Sequence, residues 1–189
     1  MEFLKQPGII THTGLHDLID QGVIECPGRD LHAQVNPASI NVTLQGNFLY
    51  ELPPSGSPYL AFDACDTWRQ SAASYCIHLS PGDFCLAAIQ EKLNLPNDIC
   101  ASVVLRSSAA RFGLDHAYAG FADPGYSGHL TLELKNFLQF HTLYLQEGDQ
   151  IAQLIFSRVE PVPVGECYAS KGAKYSGDTG PQQIKKEVR

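Results

Sequence analysis

Apolar and polar residues alternate with a period of two through much of this chain. From Gly128 onward, Leu130, Leu132 and Leu134 fall on one face of an extended segment, and Thr131, Glu133 and Lys135 fall on the other. Asp123-Pro124-Gly125, just before it, is turn chemistry, because Pro presets φ and Gly supplies φ > 0. Ile40, Val42 and Leu44 alternate in the same way. Further strands are predicted over 75–79, 84–90, 101–105, 142–145 and 150–159. The turns between them are Ser80-Pro81-Gly82-Asp83, Leu95-Pro96-Asn97-Asp98 and Glu147-Gly148-Asp149. One helical pattern covers 14–21, with Thr13 as cap, Leu15, Leu18 and Ile19 on one face, and Gly22 as stop. A second, one or two turns long, follows Arg106, with Ser107 and Ser108 offering cap oxygens and Gly113 ending it. Many short strands, frequent Pro and Gly turns and two short helices predict a mostly β fold, a distorted β-barrel or jelly-roll-like domain.

Residues 1–10 read as an arm, and 52–73, rich in Pro, Ser, Ala and Asp around Trp68, as a long surface excursion. From Ser170 the chain turns polar and Gly-rich. That segment is either a disordered tail or a stretch that orders over a ligand, and composition favours the tail. With no internal repeat, the expectation is one domain over 1–189, with 170–189 as its lid or tail.

The net charge of −7 argues against a nucleic-acid polymer or an anionic membrane as the main partner. It leaves room for a small anion where a few Arg and Lys converge. No apolar run approaches the roughly 20 residues of a membrane span, and no signal-peptide pattern opens the chain. Six cysteines without a C-x-x-C pair fit reduced thiols in a cytoplasmic protein.

Three places carry candidate chemistry. Arg106-Ser107-Ser108-Ala109-Ala110-Arg111 sets a helix start between two arginines, an arrangement suited to phosphate. Its plainer reading is a capped helix with solvated arginines. Asp123 and Glu133 stand ten residues apart, a turn former and a strand carboxylate, and Glu133 is the candidate general base. Lys171 and Lys174 accompany Tyr168 and Tyr175 near the tail. Walker A, G-x-G-x-x-G, H-E-x-x-H and G-x-S-x-G patterns are missing, as are the H-x-E and P-C-x-x-C of a zinc deaminase. The seven histidines suggest no metal site.

The runs R-S-S-A-A-R-F-G-L, A-G-F-A-D-P-G-Y-S-G-H-L-T-L-E-L-K-N and E-G-D-Q-I-A-Q-L-I-F, in that order, resemble the dUTPase and dCTP deaminase superfamily. L-S-P-G-D-F-C-L and A-S-K-G-A-K-Y-S-G-D-T-G-P resemble its deaminase branch. The resemblance implies a homotrimer with sites between subunits, dCTP or dUTP as substrate, Mg²⁺ carried on the triphosphate, and no zinc. Arg106, Ser107, Ser108, Ala109, Ala110 and Arg111 resemble the triphosphate motif. Asp123 resembles the Asp near the deoxyribose and catalytic water. Thr131, Leu132 and Glu133 resemble the base-binding strand, with Glu133 as the deaminating acid/base. Gln153, Tyr168 and Lys174 resemble the remaining nucleotide contacts.

Glu133 and the K-Y-S-G run resemble dCTP deamination rather than plain dUTPase chemistry. Gly120-Phe121 stands where strictly monofunctional deaminases carry His-Arg, and with Gln153 it resembles the type that goes through to dUMP. Leu105, Ala122 and Asp178 depart from the family pattern, and Asp178 replaces a Gln that contacts nucleotide. The resemblance therefore implies deamination of dCTP followed by cleavage to dUMP and pyrophosphate. The alternatives are a deaminase that stops at dUTP, or an inactive nucleotide-binding regulatory protein of the same fold.

Overall fold

The computed structural model describes residues 7–54, 56, 59, 68–70, 75–117 and 120–185. In chain order the elements are β1 (Gly8–Ile9), α1 (His12–Asp20), β2 (Ile24–Glu25), a 3₁₀ turn (His32–Gln34), β3 (Ile40–Val42), β4 (Leu49–Glu51), β5 (Trp68–Gln70), β6 (Cys76–Leu79), β7 (Phe84–Asn94) and β8 (Ile99–Leu105). There follow α2 (Ser107–Arg111), β9 (Leu114–His116), β10 (Phe121–Ala122), β11 (Ser127–Asn136), β12 (Leu143–Gln146), β13 (Ala152–Arg158) and two 3₁₀ turns, Val164–Glu166 and Tyr168–Lys171.

One antiparallel sheet runs β1-β13-β8-β10, with β3 also on β13. The other runs β5-β4-β7-β11-β9, with β2 also on β7. β12 and β6 form a small ribbon. Ile40, Leu154 and Phe156 of the first sheet and Ile89, Leu93, Leu132 and Leu134 of the second are fully buried in one shared core. The fold is mostly β and jelly-roll-like. Among the described residues both large sheets stay open, so the barrel is not closed. No helix among them is long and apolar enough to cross a membrane.

Helix α1 starts two residues before the predicted 14–21. Thr11, not Thr13, is the extended cap residue, and its carbonyl accepts from Leu15 N–H at 3.0 Å. Its end matches the sequence. Gly22 sits at φ +69, with Gly22 N–H donating to Ile19 and Val23 N–H to Leu18, a Schellman closure. Ser107 and Ser108 are the first two residues of α2 rather than its cap; Arg106 holds the cap position and no side chain bonds there. The excursion over 52–73 lies mostly outside the described residues, as do residues 1–6 of the arm. Its described part includes β5, which pairs with β4.

Strand β7 continues past the predicted end at Gln90. Polar Gln90-Glu91-Lys92 reads as an exit from the core, yet Glu91 turns inward and is fully buried. Thr43 clasps its carboxylate, donating its amide at 3.0 Å and its hydroxyl at 2.7 Å. Lys92 pairs with His129 and Ala88 with Thr131, so residues 89–91 bulge opposite Leu130 alone. Burial pushes the Glu91 carboxyl above its ordinary value, against the pull of the Thr43 hydrogen bonds. The folded form therefore takes up its proton at higher pH than the unfolded chain. Its contribution to stability declines as pH rises from the ordinary carboxylate value through the folded one. Chemical denaturation between about pH 4 and pH 7 is expected to show wild type losing ground to Glu91→Gln with rising pH. The opposite slope would refute the assignment.

Candidate functional site

The predicted alternation on β11 is realised. Leu130, Leu132 and Leu134 are buried, Thr131 and Glu133 are half-buried, and Lys135 is exposed. Leu132 is a core residue at 0% exposure, so only its main chain can face a ligand. Glu133 stands on the opposite face, anchored on both sides by β7 and β9. Its Oε2 is buried and, among the described residues, has no hydrogen-bond partner. An orphaned carboxylate oxygen on a rigid strand costs stability and is therefore a functional signal.

His116, at the end of β9, places Nδ1 3.9 Å from that Oε2. This is an ion-pair contact, too long for a hydrogen bond. His116 is itself buried, and the Glu133 carboxylate holds its imidazole above the usual range, outweighing the opposing effect of burial. Sequence reasoning gave His116 no role. The available signal was Leu114-x-His116, which puts a histidine on the buried face of a strand. Gly120 lies against this pair. A Cβ there would meet Val103 Cγ1 at 1.9 Å, the Val103 carbonyl at 3.0 Å and His116 Cε1 at 3.1 Å. The glycine is required by space. The Ala117 N–H, just past the end of β9, is donated to the Glu133 carbonyl at 3.1 Å and is not open to a ligand.

The C-terminal segment packs along β11. Gly177 N–H donates to the Ser127 carbonyl at 2.7 Å, and His129 N–H to the Asp178 carbonyl at 2.9 Å. Thr131 Oγ1 accepts from Gln182 N–H at 3.1 Å. Gly128, at φ +140, allows this approach, since a Cβ there would lie 3.0 Å from the Asp178 nitrogen. Asp178 Oδ1 pairs with Lys185 Nζ at 2.5 Å, so its carboxylate is neutralised within the chain. Tyr168 N–H bonds the Pro124 carbonyl at 3.0 Å, and its ring lies 5.6 Å from that of Tyr126. This ties the segment to the Asp123 turn, whose own carbonyl accepts from Tyr126 N–H at 3.0 Å. Asp123 itself is exposed, and Lys174 is half-buried.

The arginine–serine segment is not assembled onto Glu133. Ser107, Ser108, Ala110 and Arg111 are exposed, and Ala109 is buried. Arg106 donates to the Gln150 side chain at 2.9 Å and to its carbonyl at 3.2 Å, at the entry to β13. Gln153, on β13, accepts from Ser39 Oγ at 3.1 Å. Within one chain the structure thus sets Thr131 and Glu133 on one face of β11, lays Asp178 against Gly128 and His129 of the same strand, and leaves the serines and Arg111 exposed.

The family profile described as dCTP deaminase-like matches residues 9–159. A dCTP deaminase of Natronomonas pharaonis is 33% identical over 183 residues, covering 92% of each chain. The protein named dCTP deaminase, dUMP-forming, of Methanosphaera stadtmanae is 30% identical over 187 residues, covering 94% of this chain and 93% of its own. The corresponding Halobacterium salinarum protein, of the same dUMP-forming name, is 34% identical over 165 residues, 82% of this chain and 83% of its own. The crystal structure of 2'-deoxycytidine 5'-triphosphate deaminase from Agrobacterium tumefaciens superposes with a TM-score of 0.64 at 19% identity over 80% of this chain. This chain spans about half of that one, 48%. At that identity the likeness speaks for fold, and the profile and the long alignments speak for descent: the chain belongs to the dCTP deaminase-like family.

Proposed function

We propose that this protein hydrolyses dCTP to dUTP and ammonia and carries the dUTP on to dUMP and pyrophosphate. The buried Glu133 Oε2 on β11, within ion-pair reach of His116 but without a hydrogen-bond partner among the described residues, is the observation that carries the reading. Water adds to C4 of cytosine, and Glu133 takes a proton from it as the C–O bond forms. The C4=N3 electron pair moves onto N3, which takes that proton from Glu133; Glu133 then carries the remaining hydroxyl proton to the exocyclic amine, which leaves as ammonia as C4=O forms and the C–N bond breaks. His116 positions the carboxylate from 3.9 Å away. Thr131 and the Leu132 main chain flank the base.

Arg106, Ser107, Ser108, Arg111 and the Ala109 and Ala110 main chain bind the triphosphate, joined by Lys174, with Gln153 and Tyr168 completing the nucleotide contacts. Because Ser107, Ser108 and Arg111 face outward, the reading includes a homotrimer in which a second copy offers them to Glu133. Asp123 positions the water that attacks the α-phosphate in the second step. No three ligating side chains converge among the described residues. In this reading a Mg²⁺ ion would come as cargo of the phosphates beside these cations, where it would offset phosphate charge. The C-terminal segment along β11 acts as the lid. Asp178 serves through its carbonyl and its pair with Lys185 rather than as a phosphate contact. The five described cysteines form no disulfide, in keeping with the cytoplasm.

A product that stops at dUTP is the second reading, favoured by relatives named simply dCTP deaminase. Incubation with dCTP and Mg²⁺, followed by ion-exchange separation, distinguishes the two. Ammonia with equal dUMP and pyrophosphate is the expected result. Accumulating dUTP would overturn the second step alone, and unchanged dCTP would overturn the whole reading in favour of a nucleotide-binding protein.

A further inference from the structure

Strand β9 pairs with β11 only over Leu134–Asn136. The Glu133 carbonyl, just before that stretch, accepts from Ala117 N–H. Main-chain groups two residues apart on a strand point to the same edge, so Ser127 and His129 offer theirs on this edge as well. The C-terminal segment takes it, through Gly177 N–H on the Ser127 carbonyl and His129 N–H on the Asp178 carbonyl. The segment then crosses onto the face that carries Glu133. Gln182 N–H reaches Thr131 Oγ1 at 3.1 Å, and Thr131 and Glu133 stand on that face two residues apart. At the crossing, Gln45 Nε2 donates to the Thr179 carbonyl at 3.4 Å.

The segment also closes on itself. Lys185 Nζ pairs with Asp178 Oδ1 at 2.5 Å and lies 5.2 Å from the centre of the Tyr175 ring. Lys185 N–H donates to the Tyr175 hydroxyl at 3.4 Å. The Asp178 side chain is 9% exposed, so Lys185 is what balances its charge. The seat under the segment is incomplete. Gln45 Oε1 and Gln183 Oε1 are buried without a hydrogen-bond partner among the described residues. Acceptors left unpaired in this way favour release of the segment, and the ion pair opposes it.

We propose that residues 177–185 form an autoinhibitory strap, latched by Lys185 on Asp178, that fills the space beside Thr131 which a pyrimidine nucleotide must enter. The inference rests on the placement of the base at Thr131 in the proposed function. Strap and base exclude one another there, because the Gln182 main chain already lies within hydrogen-bond distance of the Thr131 hydroxyl. Nucleotide therefore binds only to chains whose strap has lifted. With the strap closed in about nine chains of ten, the apparent dissociation constant is about ten times the intrinsic one. The lid of the proposed reaction is its competitor until nucleotide arrives.

Lys185→Ala in the full chain tests this. It leaves the Asp178 charge unbalanced in the closed form, so the strap opens. Without nucleotide, amide exchange followed by NMR is expected to quicken about tenfold at Gly177, His129 and Gln182 and to stay unchanged within β8 and β13. Lys185→Arg keeps the cation and is expected to keep the slow exchange. Calorimetric titration with dCTP is made in a Glu133→Gln background, which holds nucleotide without turnover. There Lys185→Ala is expected to bind about tenfold tighter than the chain that retains Lys185. Unchanged exchange in Lys185→Ala overturns the latch. Binding that is equal or weaker in Lys185→Ala overturns the strap and leaves the functional reading standing. Absence of dCTP binding in both chains overturns the functional reading and the strap with it.

Discussion

Glu133→Gln is expected to lower dCTP deamination about a thousandfold while nucleotide binding and assembly persist. Gln has the shape of Glu and fits the same place on β11, but it cannot take the proton of the attacking water. A loss confined to turnover, with dCTP affinity retained, would identify Glu133 as the acid/base. Full activity in Glu133→Gln would remove it from the mechanism. A second readout separates chemistry from structure. The Glu133 carboxylate raises the His116 imidazole, so in Glu133→Gln the His116 titration seen by NMR moves down. The sign for stability follows. A histidine raised in the folded state adds stability below its ordinary value, and this is lost as pH rises through the folded value. Wild type should therefore exceed Glu133→Gln in Tm most near pH ~6 and lose that margin toward pH ~9.

Strands were legible where one face alone is buried. Leu130, Leu132 and Leu134 alternate with half-buried or exposed neighbours, and the alternation by itself sets Glu133 on the open face. Gly22 and the Asp123 turn were readable for a related reason, since local φ requirements are written in Gly and Pro. Legibility failed where a distant partner decides. Glu91 reads as a surface residue because nothing near it in sequence tells of Thr43, 48 positions away, closing on its carboxylate. Asp178 read as a carboxylate set against phosphate because Lys185 had no visible reason to pair with it. The C-terminal segment read as a tail on composition. What orders it is the open main chain of Ser127 and His129 together with the bare Cα of Gly128. His116 escaped notice because a single buried histidine has no motif, and its meaning comes from Glu133 on the next strand. The serine–arginine segment was legible as a unit, but not the direction it faces.

Gly120→Ala is expected to cost about 1–3 kcal/mol of stability and to lower deamination by about a hundredfold. The added methyl would sit 1.9 Å from Val103 Cγ1 and 3.0 Å from the Val103 carbonyl, so β8 or the Gly120 backbone has to move. Val103 N–H donates to the Gly120 carbonyl at 2.7 Å, so the two strands cannot part freely. The displacement that remains falls on His116, 3.1 Å from the same point, and through it on the Glu133 carboxylate. Val103→Ala, which removes Cγ1, makes the argument testable. Alone it opens a cavity, and together with Gly120→Ala the two errors offset each other. A double-mutant cycle on Tm or denaturation midpoint should then show a favourable coupling of about 0.5–3 kcal/mol, with partial return of deaminase activity. Strictly additive losses would mean that Gly120 acts through something other than this contact. A recovered fold with no recovered activity would mean that the Gly120 backbone, rather than His116, is what Glu133 needs in place.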